Sequence, residues 1–214
     1  MNIQAKAAQA PRKLSLKDKY ALMTRGLGWK TMSRGHYVKA IARNTHKLAD
    51  TERVLTVDLD LNDREALVHE LKGQDAVVSA VRFQGLNASH LVDTIRESKV
   101  KRYLVVGGAG SLNVPNQNVR VMDTEEFPEE YKLEAEAAAS FLDSLKQVDD
   151  LDWTFISPSA EFGPGKRTGE FRTGKDELLV GPEGSKISTE DFAVALVDEL
   201  EHNNHVQQRF TVGY

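Results

Sequence analysis

The residues able to do chemistry in this 214-residue chain collect where short apolar runs end. KRYLVV (101–106) breaks into Gly107, Gly108 and Gly110, followed by Ser111. HYVKAIA (36–42) gives way to Arg43-Asn44, and RVLTV (53–57) to Asp58. DAVVSAV (75–81) carries Ser79, Ala80 and Val81 and leads to Phe83 and Gly85, while DWTFIS (152–157) closes on Ser157-Pro158-Ser159. A run that stops at glycines leaves its backbone open to close approach. A serine beside such a bend can hydrogen-bond what lies there, and an arginine can pair with a phosphate. Other constellations are weaker. His202 and His205 are three apart but lack the further ligands a metal needs, and HNNH reads as a solvated helix end. GPEGSK (181–186) lacks phosphate-loop spacing and reads as a turn. Cysteine is absent, which excludes a thiolate metal site, a cysteine nucleophile and a disulfide framework.

The elements that must position these residues follow from hydrophobic period. Between the β-branched runs lie stretches at 62–72, 87–98 and 130–147 with apolar residues three and four apart. Asn62 and Asn87 are candidate N-caps, and Gly35 and Gly73 candidate helix stops. Strands alternating with helices of this length predict βαβ units and a parallel sheet covered on both faces. Residues 158–186 are rich in glycine and proline, with FRT (171–173) and ELLV (177–180) suggesting a small hairpin or irregular cap. A helix over 189–201, capped by Ser188 or Thr189, and a final strand RFTVGY complete the chain. In an open parallel sheet, ligands bind beyond the carboxyl ends of the strands. Special residues recurring at five such ends point to one long ligand crossing several strands.

Charge divides the chain. Residues 1–47 carry eleven Lys or Arg and one acid, Asp18, a balance of +10; the remainder balances at −14. A basic arm can serve nucleic acid or an anionic membrane. Without interleaved aromatics or a reading motif, residues 1–19 are expected to be a solvated arm. No apolar run reaches membrane-spanning length and no secretory signal is evident, so a cytoplasmic location is expected.

From about Gly35 to Tyr214 the chain resembles the atypical short-chain dehydrogenase/reductase family, NAD(P)H-binding and NmrA-like. Within it, the NADH-flavin reductase subgroup, related to biliverdin reductase B/flavin reductase, is the most similar. The stretches RGHYVKAIARN, DAVVSA, VKRYLVVGGAGSL, DTEEFPEEYK, LDWTFISPSAEFGPGKRTGEFR, ISTEDFAVALVDELE and QRFTVGY carry it. The resemblance implies a Rossmann-like doubly wound parallel sheet with a small C-terminal cap. It implies a dinucleotide along Arg43, Asn44, Asp58, Ser79, Ala80, Val81, Gly107, Gly108 and Pro158. Arg43 would pair with a 2′-phosphate, favouring NADPH over NADH. Gly107 and Gly108 would wall the nicotinamide, with Ser111 near the transferred hydride. Phe83, Phe127, Tyr131 and Phe162 would line the site of a flat acceptor such as a flavin, in a monomer or homodimer without nucleic-acid or membrane partners.

Two departures bear on function. The Tyr-x-x-x-Lys pair of the wider family is missing: the fourth residue after Tyr37, Tyr103 and Tyr131 is Ile41, Gly107 and Ala135. A reaction needing a phenolic proton donor is disfavoured, whereas hydride transfer to a flat acceptor mainly needs two aligned rings. The family's G-x-x-G-x-x-G is also absent from residues 1–34, where TRGLGWKTMSRG offers only Gly26-x-Gly28. Either YALMT (20–24) is the first strand, leaving little room for a crossover helix, or 15–33 is helical and the strand comes from NIQAKAA or is missing. The break in composition near residue 33 suggests a replaced or frame-shifted N-terminus. It divides a basic segment 1–33 from a single domain 34–214. The leading functional expectation is an NAD(P)H-dependent reductase. The alternatives are a non-catalytic dinucleotide-sensing regulator or a relative with impaired cofactor binding.

Overall fold

The computed structural model describes residues 19–24, 34–46 and 53–214. Parallel strands β1 (Lys19–Thr24), β2 (Tyr37–Ala42), β3 (Val54–Asp58), β4 (Ala76–Ala80), β5 (Arg102–Val106), β6 (Asp152–Pro158) and β10 (Gln208–Gly213) share a sheet with β8 (Arg172–Gly174). Its order is β3-β2-β1-β4-β5-β6-β10-β8, and only β8 runs antiparallel, against β10. The first strand is therefore present. Lys19–Thr24 occupies the centre, with Leu22 opposite both Ala40 and Val78. NIQAKAA lies outside the described residues.

Strands β4 and β5 are buried on both faces, which explains why they read as continuous apolar runs rather than alternating ones. Helices α1 (Arg64–Leu71), α2 (Ala88–Ser98) and α3 (Glu129–Leu145) cover one face. Leu71, Ile95, Phe141 and Leu142 pack there on Ile41, Val77, Tyr103, Trp153 and Phe155. Helix α4 (Thr189–His202) covers the other, setting Phe192, Leu196 and Leu200 on Val38, Val78, Leu104, Ile156 and Phe210. Asn87 caps α2 as the sequence predicts, and of the two candidates at α4, Ser188 and Thr189, the cap is Ser188. At α1 the cap is Asp63 rather than Asn62, because Asn62 is turned onto Asp60 by two hydrogen bonds of 2.9 Å.

The expected hairpin of 171–173 with 177–180 does not form. Residues 172–174 close the edge of β10, which would otherwise present unpaired backbone groups. Leu178 N–H donates instead to the Asn113 carbonyl, and Asn113 N–H to that of Asp176 (2.9 and 2.8 Å). The small cap is a two-stranded pairing of β7 (Glu161–Gly163) with β9 (Lys186–Ser188). Asp191, fully buried at the start of α4, gathers the loop over it: it accepts from Thr168 Oγ1 (2.6 Å), Gly169 N–H (2.8 Å) and the Tyr214 hydroxyl (2.7 Å).

Opposite the site edge, Arg102 pairs with Glu199 (2.7 Å), which also holds the His205 ring (2.7 Å) and backbone N–H (2.9 Å). His205 is thus no solvated helix end; it joins a buried network and stacks on Phe210, ring centroids 4.1 Å apart. Glu199→Ala strands the Arg102 charge in the interior, and unfolding by urea is expected to show a loss of about 3–5 kcal/mol. Nearby, Glu201 accepts from His36 (2.9 Å) and Arg34 (2.8 Å), tying the entry of β2 to α4. Burial raises the Glu201 pKa, but these bonds and the Arg34 charge outweigh it and leave the carboxyl below its ordinary 4.5. Its contribution is therefore complete above that value and disappears as pH falls through the depressed one. Glu201→Gln should flatten the acid limb of a stability-versus-pH curve while leaving the alkaline limb unchanged.

Candidate functional site

Parallelism puts the carboxyl ends of β1 to β6 on one edge of the sheet, and the polar residues singled out in the sequence lie along it. Arg43 follows β2, is exposed, and joins no ion pair among the described residues. The bend that presents it is fastened from the next strand. Asp58 Oδ1 accepts from Thr45 Oγ1 (2.6 Å) and Thr45 N–H (2.7 Å), and these bonds, the hydroxyl first, hold its carboxyl below the usual range. Asn44 is turned back onto His46 and accepts its backbone N–H at 3.1 Å. Asp58 thus acts on Arg43 through the loop between them.

At β4 the side chains divide. Ser79 points into the core, its hydroxyl 2.8 Å from that of Tyr103, whose phenol burial pushes well up; Ala80 and Val81 remain half-buried at the strand's end. The following loop is held by Glu134 of α3, which accepts from Phe83 N–H (2.8 Å) and Gln84 N–H (2.9 Å). Nothing in the sequence marks this carboxylate, because its partners are 50 residues away. Phe83 itself is buried against Phe141 and Phe155 (centroids 5.3 and 6.0 Å). Phe127 packs on the Met122, Ala135 and Ala139 cluster, and Tyr131 is 61% exposed. Phe162 lies on the α4 side, 4.8 Å from Phe192. The four aromatic candidates do not form one wall.

The glycine bend after β5 has two origins. A Cβ on Gly107 would lie 2.0–2.8 Å from the Phe155 ring, and one on Gly110 would lie 2.7 Å from Ala135 Cβ. Those two glycines are required by the protein's own packing. A Cβ on Gly108 would meet nothing within 4 Å among the described residues, which makes it the open position of the bend. Ser111, half-exposed, accepts at Oγ from Arg209 Nη1 (3.0 Å), which also donates to the Ser111 carbonyl (3.0 Å). Arg209 Nε and Nη2 donate to Asp176 Oδ1 at 2.9 and 2.6 Å. Neither Arg209 nor Asp176 was singled out by sequence. Pro158 ends β6 buried beside Val212. One step back, Ser157 and Thr211 face each other across β6 and β10, their buried hydroxyls without a partner among the described residues.

Residues 30–203 match a family model described as NAD(P)H-binding. The protein YwnB of Bacillus subtilis is 42% identical over 189 residues, covering 84% of this chain and 87% of YwnB. The crystal structure of a "putative epimerase" from Bacteroides thetaiotaomicron superposes with a TM-score of 0.85 at 35% identity, over 92% of this chain and 97% of the other. That of a "putative NADH-flavin reductase" from Streptococcus pneumoniae gives 0.76 at 31% identity, over 92% and 98%. This chain belongs to the NAD(P)H-binding family, with a Rossmann-like doubly wound sheet and a nicotinamide dinucleotide as its class of cofactor. The residues that would hold the pyrophosphate after β1, 25–33, lie outside those described. Among the described residues no group of side chains could hold a metal ion, and no helix is long and apolar enough to cross a membrane.

The two kinds of glycine can be told apart by stability alone. Gly107→Ala drives a methyl into the Phe155 ring and should lower the unfolding free energy by about 1–3 kcal/mol. Gly108→Ala, in open space, should stay within about 0.5 kcal/mol of the parent in the same thermal melt.

Proposed function

We propose that this protein is an NAD(P)H-dependent reductase that passes hydride to a flat conjugated acceptor, a flavin or a compound shaped like one. The observation that carries this reading is the edge beside β5: an open backbone at Gly108 next to a serine hydroxyl fixed in place, with no tyrosine–lysine pair anywhere in the chain. Such an edge can align two rings and hydrogen-bond one of them, but it lacks the phenol that reduction of an isolated ketone would draw on. The similarity to the "putative NADH-flavin reductase" of Streptococcus pneumoniae supports the same acceptor class.

The cofactor fits what the chain offers. Arg43, exposed at the end of β2 and without an ion-pair partner among the described residues, would pair with an adenosine 2′-phosphate, which makes NADPH the preferred dinucleotide. Gly108 leaves room for the nicotinamide, and Ser111 lies at its reactive end. The bound dinucleotide supplies the hydride; the protein's own residues orient it and hold the acceptor. A cytoplasmic, metal-independent enzyme acting on a freely diffusing acceptor is the corresponding biological setting.

Steady-state oxidation of NADPH with FMN, and with quinones as second acceptors, tests the reading: turnover is expected with at least one. Tight NADPH binding with no turnover on any of them would replace it by a dinucleotide-sensing protein of NmrA type. Separately, Arg43→Ala should raise the NADPH dissociation constant about 10- to 100-fold, the worth of a charge-assisted contact of roughly 1.5–3 kcal/mol. Its effect on NADH should be under threefold, and equal losses for the two cofactors would remove the 2′-phosphate assignment.

A further inference from the structure

We propose that Arg209 is a positioning residue for Ser111, and that through it the Ser111 hydroxyl is oriented as a hydrogen-bond donor, favouring acceptors whose facing atom is a carbonyl oxygen or ring nitrogen. The inference rests on the reductase reading above and narrows its substrate class.

Arg209 stands on β10 opposite Phe155, its side chain only 9% exposed. A guanidinium donates and cannot accept. Its Nη1 therefore takes up acceptor capacity of Ser111 Oγ (3.0 Å), and the same nitrogen pins the Ser111 carbonyl (3.0 Å). Ser111 has one hydroxyl proton, and among the described residues it donates to nothing. Because the bond it accepts is charge-assisted, that hydroxyl is polarised into a stronger donor. The other side of the guanidinium is anchored in turn. Asp176 accepts from Nε and Nη2 (2.9 and 2.6 Å), and its own carbonyl is held by Asn113 N–H at 2.8 Å, two residues beyond Ser111. One side chain thus bolts together β10, the glycine bend and the loop after β8, and the serine hydroxyl is the one member whose proton remains available.

The chemistry that suits such a donor is specific. In the proposed reaction the C–H bond at the reduced nicotinamide breaks with its electron pair, and a new bond to hydrogen forms on the acceptor. The displaced π electrons collect on a conjugated oxygen or nitrogen of that acceptor, which later takes a proton from water. A donor already oriented at that atom is worth more in the transition state than in the ground state.

The test is a double-mutant cycle on the full chain with Ser111→Ala, Arg209→Lys and both together, with FMN and NADPH as probes and a thermal melt of each variant. Arg209→Lys should lower kcat about 10- to 100-fold with KM for NADPH within twofold. In the Ser111→Ala background the same change should lower kcat less than twofold. An equal fold-loss in both backgrounds would overturn the inference, since Arg209 would then act through the fold. Should Arg209→Lys fail to fold, Asp176→Asn takes its place in the cycle with the same two outcomes. A parent protein that binds NADPH but reduces no acceptor sinks the reductase reading instead. The thermal melts of the same four proteins then decide the positioning claim, non-additive losses of stability supporting it and additive losses overturning it.

Discussion

A strand buried on both faces has nowhere along its length to put a polar side chain that water or a ligand could reach. In β4 and β5 this condition is met almost completely: Val77, Tyr103, Leu104 and Val105 are sealed between α1, α2 and α3 on one side and α4 on the other. Ser79 and Tyr103 are admitted only because each satisfies the other's hydroxyl. Polar groups with free valence are therefore displaced to the strand ends, and parallel order brings those ends to one edge. The site is a consequence of that exclusion as much as of any single residue.

The same crowding shapes the bend after β5. Phe155 of the neighbouring strand lies where a side chain of residue 107 would be, and α3 presses Ala135 against residue 110. Between these two obligatory glycines, Gly108 is relieved of any packing duty. Residues with tight neighbours thus frame one that has none among the described residues. Arg209 extends this rigidity to Ser111 by joining it to Asp176 and the strand at the sheet's far side.

Opposite edges of the sheet are stabilised by different physics. At the edge away from the site, Arg102, Glu199, Thr154 and His205 form a closed network in which nearly every polar atom is matched, Arg102 Nε excepted. At the edge of the candidate site, Arg43 is exposed without an acidic partner, and the Ser111 proton without an acceptor, among the described residues. Matched charges hold the fold; unmatched ones are left where a ligand can supply the partner.

Strand and helix periods, the caps at Asn87 and Ser188, and the recurrence of polar residues at strand ends were legible in the sequence, because each depends on neighbours within a few positions. So was a parallel α/β sheet covered on both faces, since alternation of two periods over residues 36–157 admits few other architectures, while the Rossmann-like class was what the family resemblance implied. Three things were decided only by tertiary contact. Residues 19–24 became the central strand because β2 and β4 offered edges on both sides. Gly107 and Gly110 proved to answer to Phe155 and Ala135 rather than to a ligand, and Ser111 acquired its fixed orientation from Arg209. These partners lie 18 to 98 positions away along the chain, and at such separations local sequence carries no trace of which residues will meet.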